Sequence, residues 1–124
     1  MKQGDDLTIV TYGMGVHWAL EELENRELSV DLIDLRTLQP LDTETIYASV
    51  RKTGRVLLLQ EDSIFGGIAS DISALISENC FKELDAPVKR VGGLETPIPF
   101  AKNLEKKYLA NSRLKKALDD LLAY

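Results

Sequence analysis

The residues whose types and spacing could do chemistry fall in a few places. Gly13-Met-Gly15 follows a β-rich stretch and opens a helix, as a dinucleotide-binding turn would, and Asp34 comes about 20 residues later, where a ribose partner would be sought. The third glycine of that fingerprint is missing, because Trp18 stands in its place. A bulky indole opposes the close helix–strand contact that a glycine permits, so a plain tight turn is the better reading. Gly66-Gly67 before a helix could present backbone N–H groups to an anion. No Lys-Ser or Lys-Thr follows, so this is not a P-loop, and a structural elbow is favoured. Glu61 and Asp62 are adjacent and would point to opposite faces of an extended strand, which makes them a poor acid/base pair. His17 is the only histidine and has no second ligand at metal spacing, so a packed or surface histidine is expected. Cys80 falls on the inward stripe with Ile72 and Ile76 and reads as a small core residue. There is no Gly-x-Ser-x-Gly elbow. The residues therefore predict no catalytic, cofactor-binding or metal site.

The elements that would position these residues are clear. Residues 56–76 organise the chain: an apolar run, Val56 to Leu59, predicts a strand buried on both faces. The polar elbow Glu61 to Gly67 follows it, then a helix with Ile68, Ile72, Leu75 and Ile76 at helical spacing, running to about Leu84. The elbow would lie at the carboxyl end of a central strand, where open α/β sheets place ligands. Leu7 to Tyr12 is the first predicted strand, followed by a helix with Val16, Ala19, Leu20 and Leu23 inward. Leu28 to Leu35 is the second strand. Asp42 is the expected N-cap of the next helix, Leu41 and Ile46 its hydrophobic staple, and Gly54 its left-handed C-terminal stop. Val88 to Val91 is a short strand, Gly92 to Pro99 a long Gly/Pro-rich connection, and roughly 111–123 the last helix, with Leu114, Ala117, Leu118 and Leu121 as its stripe. This β-α alternation predicts a three-layer α/β/α sandwich with a mostly parallel sheet.

The 124 residues, 44% apolar and 28% charged, make one domain, 1–124, with a real core. A net charge of −5 without a basic stripe argues against nucleic acid. One cysteine excludes an internal disulfide, and no stretch has the roughly 20 apolar residues that span a membrane. The start, Met1 to Asp6, has no apolar signal core, so a cytoplasmic location is expected.

Several stretches taken together resemble one family. They are Leu7-Thr-Ile-Val-Thr-Tyr-Gly-Met-Gly-Val-His-Trp18, Val30-Asp-Leu-Ile-Asp-Leu-Arg-Thr-Leu-Gln-Pro-Leu-Asp42, Ser49-Val-Arg-Lys-Thr-Gly-Arg-Val56, Glu61-Asp-Ser-Ile-Phe-Gly-Gly67, and Ala86-Pro-Val-Lys-Arg-Val91 with Thr96-Pro97. From about Gly4 to Tyr124 the chain is similar to the C-terminal domain of the β-chain of thiamine diphosphate-dependent 2-oxo acid dehydrogenases, the transketolase C-terminal fold. Residues 33–42 are its most specific part. The Gly-Gly elbow and Glu78-Asn-Cys-Phe81 look more like the branched-chain (2-oxoisovalerate) type than the pyruvate type. Gln60 is a departure, since relatives of that type commonly carry histidine before the glutamate.

The resemblance implies that the chain is a fragment of a longer enzyme. That parent decarboxylates a 2-oxo acid with thiamine diphosphate and magnesium, and passes the acyl group to a lipoyl arm. The cofactor would lie between domains absent from these residues, so none is expected to bind this domain alone. The implied partners are an α chain or fused α domain, a second β-chain, and the lipoyl acyltransferase component. If the parent is eukaryotic, the mitochondrial matrix replaces the cytoplasm. Asp119, Asp120 and the carboxylate of Tyr124 are the candidate partner-binding residues, offering negative charge to a basic acyltransferase domain; the plain alternative is a solvated helix end. Competing readings are the same domain from a transketolase or a deoxyxylulose phosphate synthase, and a stand-alone module binding an anion or nucleotide at Gly13–Gly15 or Gly66–Gly67.

Overall fold

The structure, a computed structural model, describes residues 3–24, 26–35, 42–63, 67–93 and 111–124. Among the described residues four strands form one sheet in the order β2-β1-β3-β4: β1 Leu7–Thr11, β2 Val30–Asp34, β3 Val56–Ser63 and β4 Lys89–Gly93. All three pairings are parallel, with Val10 opposite both Ile33 and Leu58, and Leu59 opposite Val91. Every residue of β1 is buried, as its position inside a sheet covered on both faces demands.

Among the described residues the α-helices are α1 Met14–Leu23, α2 Thr43–Thr53, α3 Ile68–Cys80 and α4 Asn111–Ala123. Alternation along the strands splits the core in two. Leu7, Ile9, Leu57 and Leu59 face α1 and α4, meeting Trp18, Leu114 and Leu118. Val10, Ile33, Val56 and Leu58 face α2 and α3, meeting Ile46, Val50, Ile72 and Ile76. The result is the expected α/β/α sandwich, and the described strands are wholly parallel.

Local chemistry explains the helix ends. Asp42 Oδ1 accepts from the Thr45 backbone N–H at 3.3 Å and Oδ2 from its hydroxyl at 2.6 Å, and these bonds hold the carboxyl below its ordinary value. Gly54 adopts φ 74° and returns its N–H to Val50 O, closing α2 in the left-handed form that glycine tolerates. The staple proposed for Leu41 lies outside the described residues.

Two helices differ from expectation. On α1 the buried residues are Gly15, Trp18, Ala19 and Leu23, while Val16 is half-buried and Leu20 is 42% exposed. Apolar side chains occur almost all around this helix, so its periodicity did not single out the face that packs on the sheet. On α3 the helix stops at Cys80 rather than near Leu84, and a 3₁₀ turn, Phe81–Glu83, takes over. The Asp85 backbone N–H donates to Gly54 O at 2.7 Å, drawing the chain back to the end of α2 before β4 begins.

A buried polar seam ties α2 to β1 and β2. The Thr8 hydroxyl lies 2.7 Å from both Ser49 Oγ and Thr53 Oγ1; Ser49 Oγ donates to Asp31 Oδ2 at 2.5 Å, and Lys52 Nζ pairs with that carboxylate at 3.2 Å. Each hydroxyl of this seam thus has a partner, as a buried polar group requires.

Candidate functional site

The strand order places a topological switch point between β1 and β3. From β1 the chain rises through α1 to β2 on one face; from β3 it passes through α3 to β4 on the other. Open α/β sheets bind ligands where two such connections diverge.

Gly13 takes φ 58°, which lets the chain turn sharply out of β1. Gly15 then brings α1 down onto the strand: a Cβ at this position would stand 1.9 Å from Thr11 Oγ1. The close contact that a dinucleotide fold obtains from its third glycine is made here by the second. Trp18 lies one turn further along, packed into the core rather than displacing the helix. The turn is explained by packing alone.

The other side of the switch point is built around Gln60, a residue to which sequence reasoning assigned no role. It is 0% exposed, and its Oε1 accepts from the Ala69 backbone N–H at 2.8 Å. Gly67 is the N-cap of α3 and has no side chain to cap it, so an amide from the preceding strand satisfies one of the helix's orphan donors. Gly67 is glycine because of this contact: its φ of −83° is ordinary, but a Cβ would stand 2.1 Å from Gln60 Nε2. The available signal was a lone polar residue ending an apolar run. With the Ala69 N–H already engaged, the elbow loses a donor that an anion would need. The space left beside it, lined by Thr11, Leu35, Gln60, Ala69 and Ile72 among others, is about 10 Å³, room for roughly one water.

The remaining candidates are placed plainly. His17 is exposed on α1. Cys80 is buried in the α2–α3 core, and desolvation raises its thiol pKa, which leaves it unreactive near neutrality. Glu61 and Asp62 belong to β3, but their side chains, like Gly66, lie outside the described residues. Among the described residues no group of three or more His, Cys, Asp or Glu could hold a metal ion.

The three partner-binding candidates share the end of α4 yet point three ways. Asp119 Oδ1 accepts from Arg26 Nη1 at 3.0 Å, and Arg26 Nε donates to Glu22 at the same distance, so Asp119 ties α4 to the end of α1. Asp120 pairs with Lys116 at 2.7 Å one helical turn back; that hydrogen bond lowers its pKa, and it lines a recess against β4. Tyr124, 72% exposed, borders an open groove of about 670 Å³ that Phe81, 73% exposed, also lines, with Leu84, Pro87 and Val88. Two exposed rings lining one largely apolar groove are a suitable anchor for a partner side chain.

Comparison with known proteins gives this geometry a context. The family model described as "Transketolase, C-terminal domain" matches residues 1–113. The 2-oxoisovalerate dehydrogenase subunit beta of Bacillus subtilis (strain 168) is 46% identical over 114 residues, which is 89% of this chain and 35% of the relative. The pyruvate dehydrogenase E1 component subunit beta of Rickettsia bellii (strain RML369-C) is 44% identical over 109 residues, 86% of this chain and 34% of the relative. The chain therefore spans about a third of the length of these curated relatives. Among solved structures, one described as "Split gene transketolase, inactive beta4 tetramer" superposes with a TM-score of 0.80 at 32% identity, covering 98% of this chain and 40% of the other. A 2-oxoglutarate:ferredoxin oxidoreductase from Magnetococcus marinus shares the fold alone, at 15% identity and a TM-score of 0.61. With its parallel sheet and a family match over nearly its whole length, the chain belongs to the transketolase C-terminal domain family.

Proposed function

We propose that residues 1–124 are the C-terminal structural and assembly domain of the β subunit of a thiamine diphosphate-dependent 2-oxo acid dehydrogenase, of the branched-chain type. The observation that carries this reading is the 46% identity with a 2-oxoisovalerate dehydrogenase β subunit, joined by the local Gly-Gly elbow and the Glu78–Phe81 stretch. The pyruvate-type relative, at 44%, is close behind, so the elbow and that stretch carry the finer distinction.

Among the described residues at the switch point Gln60 occupies an α3 amide and the adjoining space is about 10 Å³, which supports seating thiamine diphosphate elsewhere. The cofactor and its magnesium belong, on this reading, to domains outside residues 1–124. The domain's own work is packing: against a second β-chain, against the α chain or fused α domain, and against the acyltransferase component. The cytoplasm, or the mitochondrial matrix of a eukaryote, is the proposed setting; among the described residues no helix is long and apolar enough to cross a membrane.

The native protein carrying this sequence should have an intact mass several times the 13.8 kDa of this chain. With its α chain it should decarboxylate 2-oxoisovalerate in preference to pyruvate. Preference for pyruvate would overturn the branched-chain assignment, and a native mass matching this chain would overturn the subunit assignment. Transketolase activity would support the second reading, which the 0.80 TM-score with a split-gene transketolase favours.

The groove at the end of α4, lined by Tyr124 and Phe81, is the proposed acyltransferase dock, to which Asp119 and Asp120 of the same helix would add negative charge. Removing Tyr124, or changing Phe81 to alanine, should weaken binding of the acyltransferase component about tenfold or more in the assembled enzyme. Affinity unchanged in both variants, read by surface plasmon resonance, would show that the dock lies elsewhere.

A further inference from the structure

Two elements far apart in the chain bring four cations to one recess. Lys89 and Arg90 come from β4, Arg113 and Lys116 from α4, and together they line a space of about 200 Å³ in which Asp120 is the one carboxylate among the described residues. The chain as a whole carries −5, so this positive concentration is local and is not a consequence of composition.

The cations are held in different ways. Arg90 Nη1 donates to Ser70 Oγ at 2.8 Å, which anchors its guanidinium to the first turn of α3. Arg113, in the first turn of α4, donates to Gly92 O on the neighbouring strand. Burial lowers the Arg113 pKa, so an anion nearby would be favourably placed. Lys116 meets Asp120 at 2.7 Å, but the two side chains are 83% and 49% exposed, and an ion pair so open to water is easily exchanged. Lys89 is close enough to Asp120 to lower the pKa of that carboxyl. The Arg113 guanidinium and two ammonium groups around a small space match several acceptor oxygens of a tetrahedral oxyanion, while the Arg90 guanidinium is turned to α3 on the other face of the sheet. The positive end of α4 adds to the same field. At about 200 Å³ the recess suits a single compact group better than a length of peptide.

We infer that the β4–α4 recess binds a phosphate group, either as inorganic phosphate or as the phosphate monoester of a small metabolite. The site is distinct from the switch point and does not rest on the proposed acyltransferase dock, with which it shares only Asp120.

Hydrogen–deuterium exchange of the intact protein that carries this chain tests the inference. Inorganic phosphate and glycerol 3-phosphate are titrated separately, each against sodium chloride at matched ionic strength. The expected result is slowed exchange in peptides covering 89–93 and 111–120 with a phosphate compound and not with chloride. The compound acting at the lower concentration identifies the source. Lys89→Gln combined with Lys116→Gln should raise the concentration at half-protection about tenfold or more, with the melting temperature unchanged. Lys116→Gln alone, at a fully solvated position, should raise it by a smaller factor and guards against misfolding of the double variant. Equal protection by chloride, protection only outside these peptides, or an unchanged half-protection concentration in both variants would overturn the site.

Discussion

Changing Gln60 to alanine is expected to lower the unfolding midpoint by on the order of 10 °C, corresponding to about 3 kcal/mol. The side chain is fully buried, and its Oε1 is the acceptor for the Ala69 N–H at the start of α3. Truncation removes that acceptor, leaves a helix donor unsatisfied away from water, and opens a void between β3 and α3. Gly67 sharpens the test. Gly67→Ala in the native background forces a Cβ to 2.1 Å from Gln60 Nε2 and should also destabilise. Combined with Gln60→Ala, the added methyl enters space the amide has vacated, so the double variant should be more stable than the sum of the two losses predicts. Thermal unfolding of all four proteins in one buffer gives the coupling. Strict additivity would mean that Gln60 and Gly67 are not in the contact described.

The second large effect is expected at Gly15. Alanine here places a Cβ 1.9 Å from Thr11 Oγ1, 3.3 Å from Thr11 Cβ and 3.5 Å from a Leu59 carbon. Thr11 is β-branched and held in a fully buried strand, so it cannot rotate away cheaply. Either α1 lifts from the sheet or the strand shifts, and a loss of about 1–3 kcal/mol is expected. Thr11→Ala should rescue much of it, because the atom in conflict is the hydroxyl, which has no hydrogen-bond partner among the described residues. A denaturant titration in which Gly15→Ala is neutral, or in which Thr11→Ala gives no relief, would refute the account of how α1 is seated.

Much of the architecture was legible because its causes are local. A run such as Val56 to Leu59 has no polar face to turn outward, so it must lie inside a covered parallel sheet. The Asp42 cap and the Gly54 stop act within one helical turn of their own residues, and α4 carries a single apolar stripe with charges elsewhere, so neither depended on distant contacts. The candidate site was much less legible. Asp119 looked like free negative charge, but its partner is Arg26, 93 residues away, and only the folded chain brings them together.

Sequence by itself determined the succession of strands and helices, the parallel sandwich they form, and the family to which the residues belong. Hydrophobic period and capping chemistry are written into consecutive residues, and motifs survive in the same form. Tertiary structure alone decided which face of α1 packs inward, because Met14, Val16, Trp18, Ala19, Leu20 and Leu23 offer apolar surface on nearly every side and the choice fell to the contact between Gly15 and Thr11. It alone gave Gln60 its place as the cap of α3 and gathered the cations of β4 and α4 around one recess. Such roles depend on distances between residues that are not neighbours in the chain, and packing sets those distances.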